Sequence, residues 1–156
     1  MKHLKVNDKA PAFESIDQHG NAFSSATLTG KKYVIYFYPK DLTPGCTAQA
    51  CNLRDNYSEL QQKGIEIIGV SMDDVKLHTR FIDKYELPFT LLADTDRKVI
   101  DAFDVWGYKK FMGKEYDGIH RTTFIVDEKS VIIGIIDKPN TKDHTREILE
   151  IIEGKK

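Results

Sequence analysis

The run Tyr33-Val34-Ile35-Tyr36-Phe37-Tyr38 contains no charged residue and no polar alternation. A strand with one wet face would interleave polar side chains, so this run predicts a central strand buried on both faces. Such a strand needs a layer above it and another below. Ile65-Glu66-Ile67-Ile68-Gly69-Val70-Ser71 reads as a second buried strand. Between them a polar and apolar stretch reads as a helix through Leu60, with Cys46 in its first turn and Gly64 as the stop. Two buried strands joined by a helix make a parallel unit with a right-handed crossover.

The remaining segments extend that unit. Ala10-Pro11-Ala12-Phe13 and Asn21-Ala22-Phe23-Ser24 flank the turn signal Asp17-Gln18-His19-Gly20 and predict an N-terminal hairpin. Thr27 to Gly30 is one short turn. Asp73 and Asp74 open a helix that runs to Tyr85 and ends at Leu87-Pro88, and Phe89 to Ala93 is a strand. Lys98 to Phe103 is a short helix behind the capping-type residues Asp94 to Asp96. Trp106 to Gly118, with glycines, lysines and aromatics, is expected to be a loop long enough to carry function. Thr122 to Val126 and Val131 to Ile136 form a hairpin, and a last helix from about Asp143 to Glu153 turns Ile148, Leu149, Ile151 and Ile152 inward. This order is that of an α/β, thioredoxin-like fold: a central mixed sheet flanked by helices, with an N-terminal β-hairpin extension, in a single domain over residues 1–156.

At 156 residues such a domain buries roughly 70% of the surface its unfolded chain exposes and needs no cross-links. With 23 basic and 24 acidic residues the net charge is -1, which leaves no electrostatic footprint for nucleic acid or an anionic membrane. Met1 to Asp8 lacks the apolar core of a signal peptide, and no apolar run approaches the roughly 18 residues of a membrane helix. A cytoplasmic location is therefore expected. In that reducing setting two cysteines, Cys46 and Cys51, argue for a catalytic or sensing pair over a structural disulfide. Their spacing matches no zinc pattern and the five histidines are scattered, so no metal or other cofactor is expected.

Both cysteines follow Pro39-Lys40-Asp41-Leu42-Thr43-Pro44-Gly45, the link between central strand and helix. A thiol at a helix start meets N–H groups without intrahelical partners and the positive end of the peptide dipoles, and both favour thiolate. Thr43 offers a hydroxyl that donates or accepts, while Pro44 and Gly45 suit a tight turn that brings backbone close to a small ligand. Each residue has an ordinary alternative. Pro39 can stop a strand, Thr43 can cap the helix, Cys51 can be a small buried hydrophobe, and Lys109-Lys110 reads as a solvated charge pair. Trp106, Tyr108 and Phe111 suggest a collar around a substrate or a docking surface, with core packing favoured for Trp106. The joint spacing of Pro39, Thr43 and Cys46 is what argues for chemistry.

That spacing, Pro-x-x-x-Thr-x-x-Cys, resembles the active-site signature of the peroxiredoxins. Cys51, Trp106-Gly107 and the run from Phe111 through Gly118-Ile119-His120-Arg121 are similar to the bacterioferritin-comigratory-protein type of that family, and the likeness extends over nearly the whole chain. The resemblance implies a thiol-dependent peroxidase acting on hydrogen peroxide and organic hydroperoxides in antioxidant defence. It makes Cys46 the peroxidatic residue and Cys51 the resolving one, has Pro39 shield the sulfur, and names thioredoxin or a similar dithiol as reductant. Many relatives are monomers, which is the expectation here, with a dimer as the alternative because of the aromatics after Trp106.

Magnitudes then decide what the site must contain. A free thiol is only about 3% thiolate at neutral pH, and bringing its pKa to about 6 takes about 3.4 kcal/mol, above the roughly 0.3 to 2 kcal/mol of a helix terminus. A cation is required, and Arg121 is the candidate: it heads a predicted strand and stands at the family's arginine position, with His120 pointing to the opposite side. Thr43, Arg121 and the N–H groups of Gly45 and Cys46 make the expected substrate-binding donor set. In one continuous helix Cys46 and Cys51 lie about 8.7 Å apart at Cα, beyond the roughly 7 Å that a disulfide spans, so the segment must unwind for them to pair. Two other activities compete with this reading, a disulfide oxidoreductase and a redox-sensing or chaperone-like binding module. The absence of a Cys-x-x-Cys spacing counts against the first.

Overall fold

The computed structural model describes residues 4–111 and 113–154. β1 (Glu14–Ile16) and β2 (Ala22–Ser24) pair antiparallel, and a 3-10 turn over Ser25–Leu28 leads into β3 (Lys32–Phe37). Next come α1 (Pro44–Asp55), α2 (Tyr57–Gln62), β4 (Ile65–Ser71), α3 (Val75–Tyr85), β5 (Thr90–Ala93) and α4 (Lys98–Ala102). β6 (Trp106–Phe111), β7 (Lys114–Ile119), β8 (Thr122–Val126), β9 (Ile132–Ile136) and α5 (His144–Ile152) follow. The main sheet has the order β5-β4-β3-β8-β9; β3, β4 and β5 run parallel, while β8 and β9 are antiparallel to their neighbours. It is the expected mixed sheet, flanked by helices.

β3 lies at its centre, as its apolar run requires. The two-residue pleat sends Tyr33, Ile35 and Phe37 to one face, where they meet Val99, Phe103 and Phe124. Val34, Tyr36 and the following Tyr38 face the other way, among Leu53, Leu60, Phe81, Ile148 and Cys46. Cys46 thus belongs to the layer built by α1, α3 and α5. Full burial of a leucine such as Leu53 or Leu60 contributes about 1.5 to 3 kcal/mol, which fixes the C-terminal half of α1 and the helix after it to the sheet. Gly69 on β4 answers a close approach: a Cβ there would stand 2.7 Å from Leu91 Cδ2 and 2.9 Å from Tyr36 Cζ.

Three expectations are corrected. The first strand of the N-terminal hairpin is Glu14–Ile16 and not Ala10 to Phe13, because Phe13 bonds Ser25 through both N–H to Oγ (3.0 Å) and C=O to N–H (2.9 Å). The helix expected through Leu60 breaks at Asn56, whose side-chain amide donates to Asn52 O at 2.8 Å, a local bond that competes with helical continuation. The expected loop from Trp106 to Gly118 is the hairpin β6-β7, in register from Trp106 opposite Ile119 to Phe111 opposite Lys114, with Met112 outside the described residues. Its strands carry polar and aromatic side chains on both faces, so no alternation marks them. No helix among the described residues is long and apolar enough to cross a membrane.

Candidate active site

The chain leaves the central strand at Tyr38, turns through Pro39 to Thr43 and enters α1 with Pro44 at its first position. Proline suits that place because its missing N–H and fixed φ cost nothing there. Cys46 is the third helical residue, so the N–H groups of Gly45 and Cys46 have no carbonyl behind them within the helix. Thr43 precedes the helix, yet its side chain makes no capping bond. Its hydroxyl donates instead to Lys40 O at 2.8 Å, which leaves the oxygen free to accept. Leu42 has φ 65°, a left-handed conformation that costs a non-glycine residue about 1 to 2 kcal/mol.

Arg121 comes from the segment immediately before β8, the strand beside β3, and points to the same face of the sheet as Cys46. Its Nη2 donates to Cys46 Sγ at 3.3 Å and its Nη1 to Gln49 Oε1 at 2.8 Å. The guanidinium also lies against Gly45, where a Cβ would come within 3.3 Å of Nη2. Cys46 is only 1% exposed, so its sulfur faces a cation and a helix start from within the protein. An N–H of a cation bonds a sulfur anion more strongly than a neutral thiol. Pro39, at the head of the same loop, is half-buried.

Cys51 lies farther along α1, half-buried, and both cysteines are free thiols. The intact helix keeps them apart by about 8.7 Å in ideal geometry. Downstream the helix is held by Asn52, whose side chain donates to Lys142 O at 3.1 Å and accepts from Thr145 N at 2.8 Å.

Two residues that the sequence reading left aside belong to this site. Gln49 is fully buried and orients Arg121 through its Oε1; one helical turn beyond Cys46, a polar residue on the inward face was the signal. Lys109 was read with Lys110 as solvated, but only Lys110 is exposed. Lys109 is half-buried, donates to Ile119 O at 2.8 Å and approaches the Tyr116 ring. Burial and then the charge of Arg121 push its pKa down, against a smaller upward pull from Cys46, which puts it in the electrostatic neighbourhood of the sulfur. Trp106 packs partly into the core and takes the Arg97 guanidinium on its face at 4.4 Å, whereas Tyr108 and Tyr116 are exposed and the Phe111 side chain lies outside the described part. The Tyr36 phenol, beneath Cys46 on the same face, stays protonated: burial first, and then the charges of Cys46 and Asp41, push its pKa well up.

An open cleft of about 790 Å³ lies elsewhere, lined by Lys9, Phe13, Tyr33 and Lys98 at the opposite end of β3 from the cysteine. At Cys46 the structure has a buried thiol at a helix start with an arginine on its sulfur. The family model described as AhpC/TSA matches residues 6–135. This chain belongs to the AhpC/TSA family. Within it the chain is 49% identical to a putative peroxiredoxin Bcp of Haemophilus influenzae over 152 residues, covering 97% of this chain and 98% of that one. Among solved structures, the Xanthomonas campestris bacterioferritin comigratory protein superposes with a TM-score of 0.86 at 30% identity, over 99% of this chain and 98% of the other. A PrxQ variant from Xylella fastidiosa superposes with a TM-score of 0.91 at 26% identity, over 99% and 98%. The chain is therefore a peroxiredoxin of the bacterioferritin-comigratory type with a thioredoxin-like fold, and peroxiredoxins are thiol peroxidases.

Proposed function

We propose that this peroxiredoxin reduces hydrogen peroxide and organic hydroperoxides in three balanced steps. The Cys46 thiolate attacks one peroxide oxygen; the S–O bond forms, the O–O bond breaks, and the departing oxygen takes a proton and leaves as water or alcohol. The Cys46 sulfenic acid then accepts the Cys51 thiol, forming a disulfide and releasing water. An external dithiol, thioredoxin in our reading, returns two electrons and two protons by exchange.

The observation that carries this reading is the Arg121 guanidinium 3.3 Å from the Cys46 sulfur, beside the free N–H groups of the helix start. Negative charge builds on the departing oxygen, and preorganised donors aimed there lower the barrier. Arg121 and the Gly45 and Cys46 amides supply those donors. Thr43, with its proton given to Lys40 O, supplies an acceptor for the hydroperoxide's own proton and so fixes which way the substrate enters. Pro39 screens the sulfur from water. The second step needs α1 to open between Cys46 and Cys51, with Asn52 as the point at which unwinding stops. The Xanthomonas relative, described for its alkyl peroxide reduction activity, supports the inclusion of organic hydroperoxides. A cytoplasmic monomer served by a dithiol system completes the proposal.

Intact mass after one equivalent of peroxide tests it. The unmodified chain is expected to lose two hydrogens, Cys46→Ser to remain unchanged, and Cys51→Ser to gain one oxygen. An unchanged Cys51→Ser, or a Cys46→Ser variant that still gains oxygen, removes the assignment.

A further inference from the structure

The loop that carries Thr43 is held at Asp41, and this inference, which rests on the peroxidase reading, concerns the group that holds it. Asp41 is 3% exposed. Its carboxylate accepts from Tyr38 Oη at 2.5 Å and from His78 Nδ1 at 2.6 Å, and its backbone N–H donates to Asp73 Oδ2 at 2.6 Å. Ser71 Oγ donates to that same Asp73 oxygen at 2.8 Å. The end of β3, the connection from β4 to α3, and α3 itself thus converge on one loop residue. Leu42, which follows it, keeps a left-handed backbone, a conformation that persists where neighbours over-determine it.

His78 has no solvent exposure, and both of its ring nitrogens face oxygen: Nδ1 the Asp41 carboxylate, Nε2 the Leu92 carbonyl at 2.8 Å. A neutral imidazole has one N–H and one lone pair, so in this place the lone pair would point at an acceptor. Only the doubly protonated ring donates to both. We propose that His78 is a buried imidazolium paired with Asp41, and that it is a positioning residue for the peroxide site, fixing the loop that carries Thr43 and leads into the first turn of α1, where Cys46 sits.

The other titratable groups on this pair are Tyr38, just after β3, and Asp73 from the connection before α3. Burial works against the charge on His78, but the hydrogen bond to Asp41, the Asp41 charge, the Leu92 carbonyl and Asp73 outweigh it, so its pKa lies above the ordinary histidine value. Ligand atoms of Asp41, Asp73 and His78 come within 4.8 Å of one another. With both nitrogens committed as donors, no nitrogen lone pair remains for a metal ion. As pH rises through the His78 pKa the ring loses a proton, one acceptor loses its donor, and the hold on Asp41 loosens. Cys46 oxidation then slows on the alkaline side.

The test reads charge and rate separately. Nitrogen NMR of the His78 ring in the full chain is expected to find both nitrogens protonated at neutral pH. The second-order rate constant for Cys46 oxidation by hydrogen peroxide should decline at alkaline pH with the midpoint of that ring. His78→Gln, which keeps one donor but does not titrate, should lower the neutral rate about ten- to a hundredfold and abolish the alkaline decline. One unprotonated nitrogen at neutral pH, or an alkaline decline surviving unshifted in His78→Gln, overturns the proposal. If His78→Gln does not fold, the match or mismatch of the ring and rate midpoints in the unmodified protein decides it. If the unmodified protein consumes no peroxide at any pH, the peroxidase reading fails and the positioning role with it; the charge of the ring, read independently, tells that failure from an error about His78.

Discussion

Two histidines in this protein, His78 and His144, are equally shut off from water and are opposite in charge preference. His78 on α3 stands between a carboxylate and a carbonyl, neither of which can donate. His144 at the start of α5 stands between Glu147 Oε1, 2.9 Å from Nδ1, and Thr123 Oγ1, 2.8 Å from Nε2. A hydroxyl donates as well as accepts, so the neutral His144 ring gives Nδ1–H to Glu147 and receives from Thr123 with nothing left over. Burial pushes the His144 pKa down, Glu147 pulls it up by less, and the Arg121 charge adds to the fall. A carbonyl in one place and a hydroxyl in the other decide which ring is charged. Burial alone does not.

The largest test of the contrast removes each ring. His78→Leu leaves the Asp41 carboxylate buried without its cation and should cost about 3 to 5 kcal/mol, read from urea midpoints at constant slope. His144→Leu leaves a hydroxyl and a half-buried carboxylate underbonded and should cost about 1 to 3 kcal/mol. Equal losses would break the comparison. Arg121→Met acts on the neutral ring and on the Cys46 sulfur together. The rate of peroxide reduction should fall about 10²- to 10³-fold, and the NMR titration of His144 should move upward once the nearby cation is gone. A full rate with a shifted His144 would separate the arginine's field from catalysis and would contradict its proposed role.

The opposite shifts also predict the shape of stability against pH. His78, raised in the folded state, contributes fully below the ordinary histidine pKa of about 6.5 and loses that contribution as pH rises through its folded value. His144, lowered, contributes above about 6.5 and loses its part as pH falls toward its folded value. Together they place a stability maximum near pH 6.5, and His78→Gln should flatten only the alkaline arm. Denaturation midpoints across the pH range read both arms. The smallest expected effect sharpens the contrast most. Glu147→Gln keeps an oxygen for both His144 Nδ1 and the Asn140 N–H, and should change stability by less than about 1 kcal/mol, whereas Asp41→Asn removes the charge that His78 needs and should cost several times more.

Legibility followed the range of the forces involved. The runs that became β3 and β4 could be read because burial on both faces leaves no room for polar residues in either. Cys46 could be placed at a helix start because Thr43, Pro44 and Gly45 are its immediate neighbours. Asp74 was visible as a helix opener and caps α3 by accepting the Leu77 N–H at 2.9 Å. The β6-β7 hairpin was not visible, since Tyr108, Lys110 and Tyr116 face solvent and no apolar stripe marks the pleat. The break at Asn56 escaped notice because one side-chain bond to Asn52 O produces it. Gln49 and Lys109 looked like ordinary polar residues until Arg121 stood beside one and Ile119 O beside the other.

The amino-acid order alone determined the alternation of strands and helices and the exposure of a thiol to free amides, because pleat, helical period and turn geometry act over a few neighbouring residues. It named Arg121 as that sulfur's cation only through the family resemblance, without the distance, and it did not determine which buried ring keeps its second proton. Arg121 reaches Cys46 across 75 positions, and His78 finds Asp41 across 37. Charge on a buried group is set by the atoms that face it, and those atoms arrive from distant segments only when the sheet closes and brings β3, β8 and α3 together.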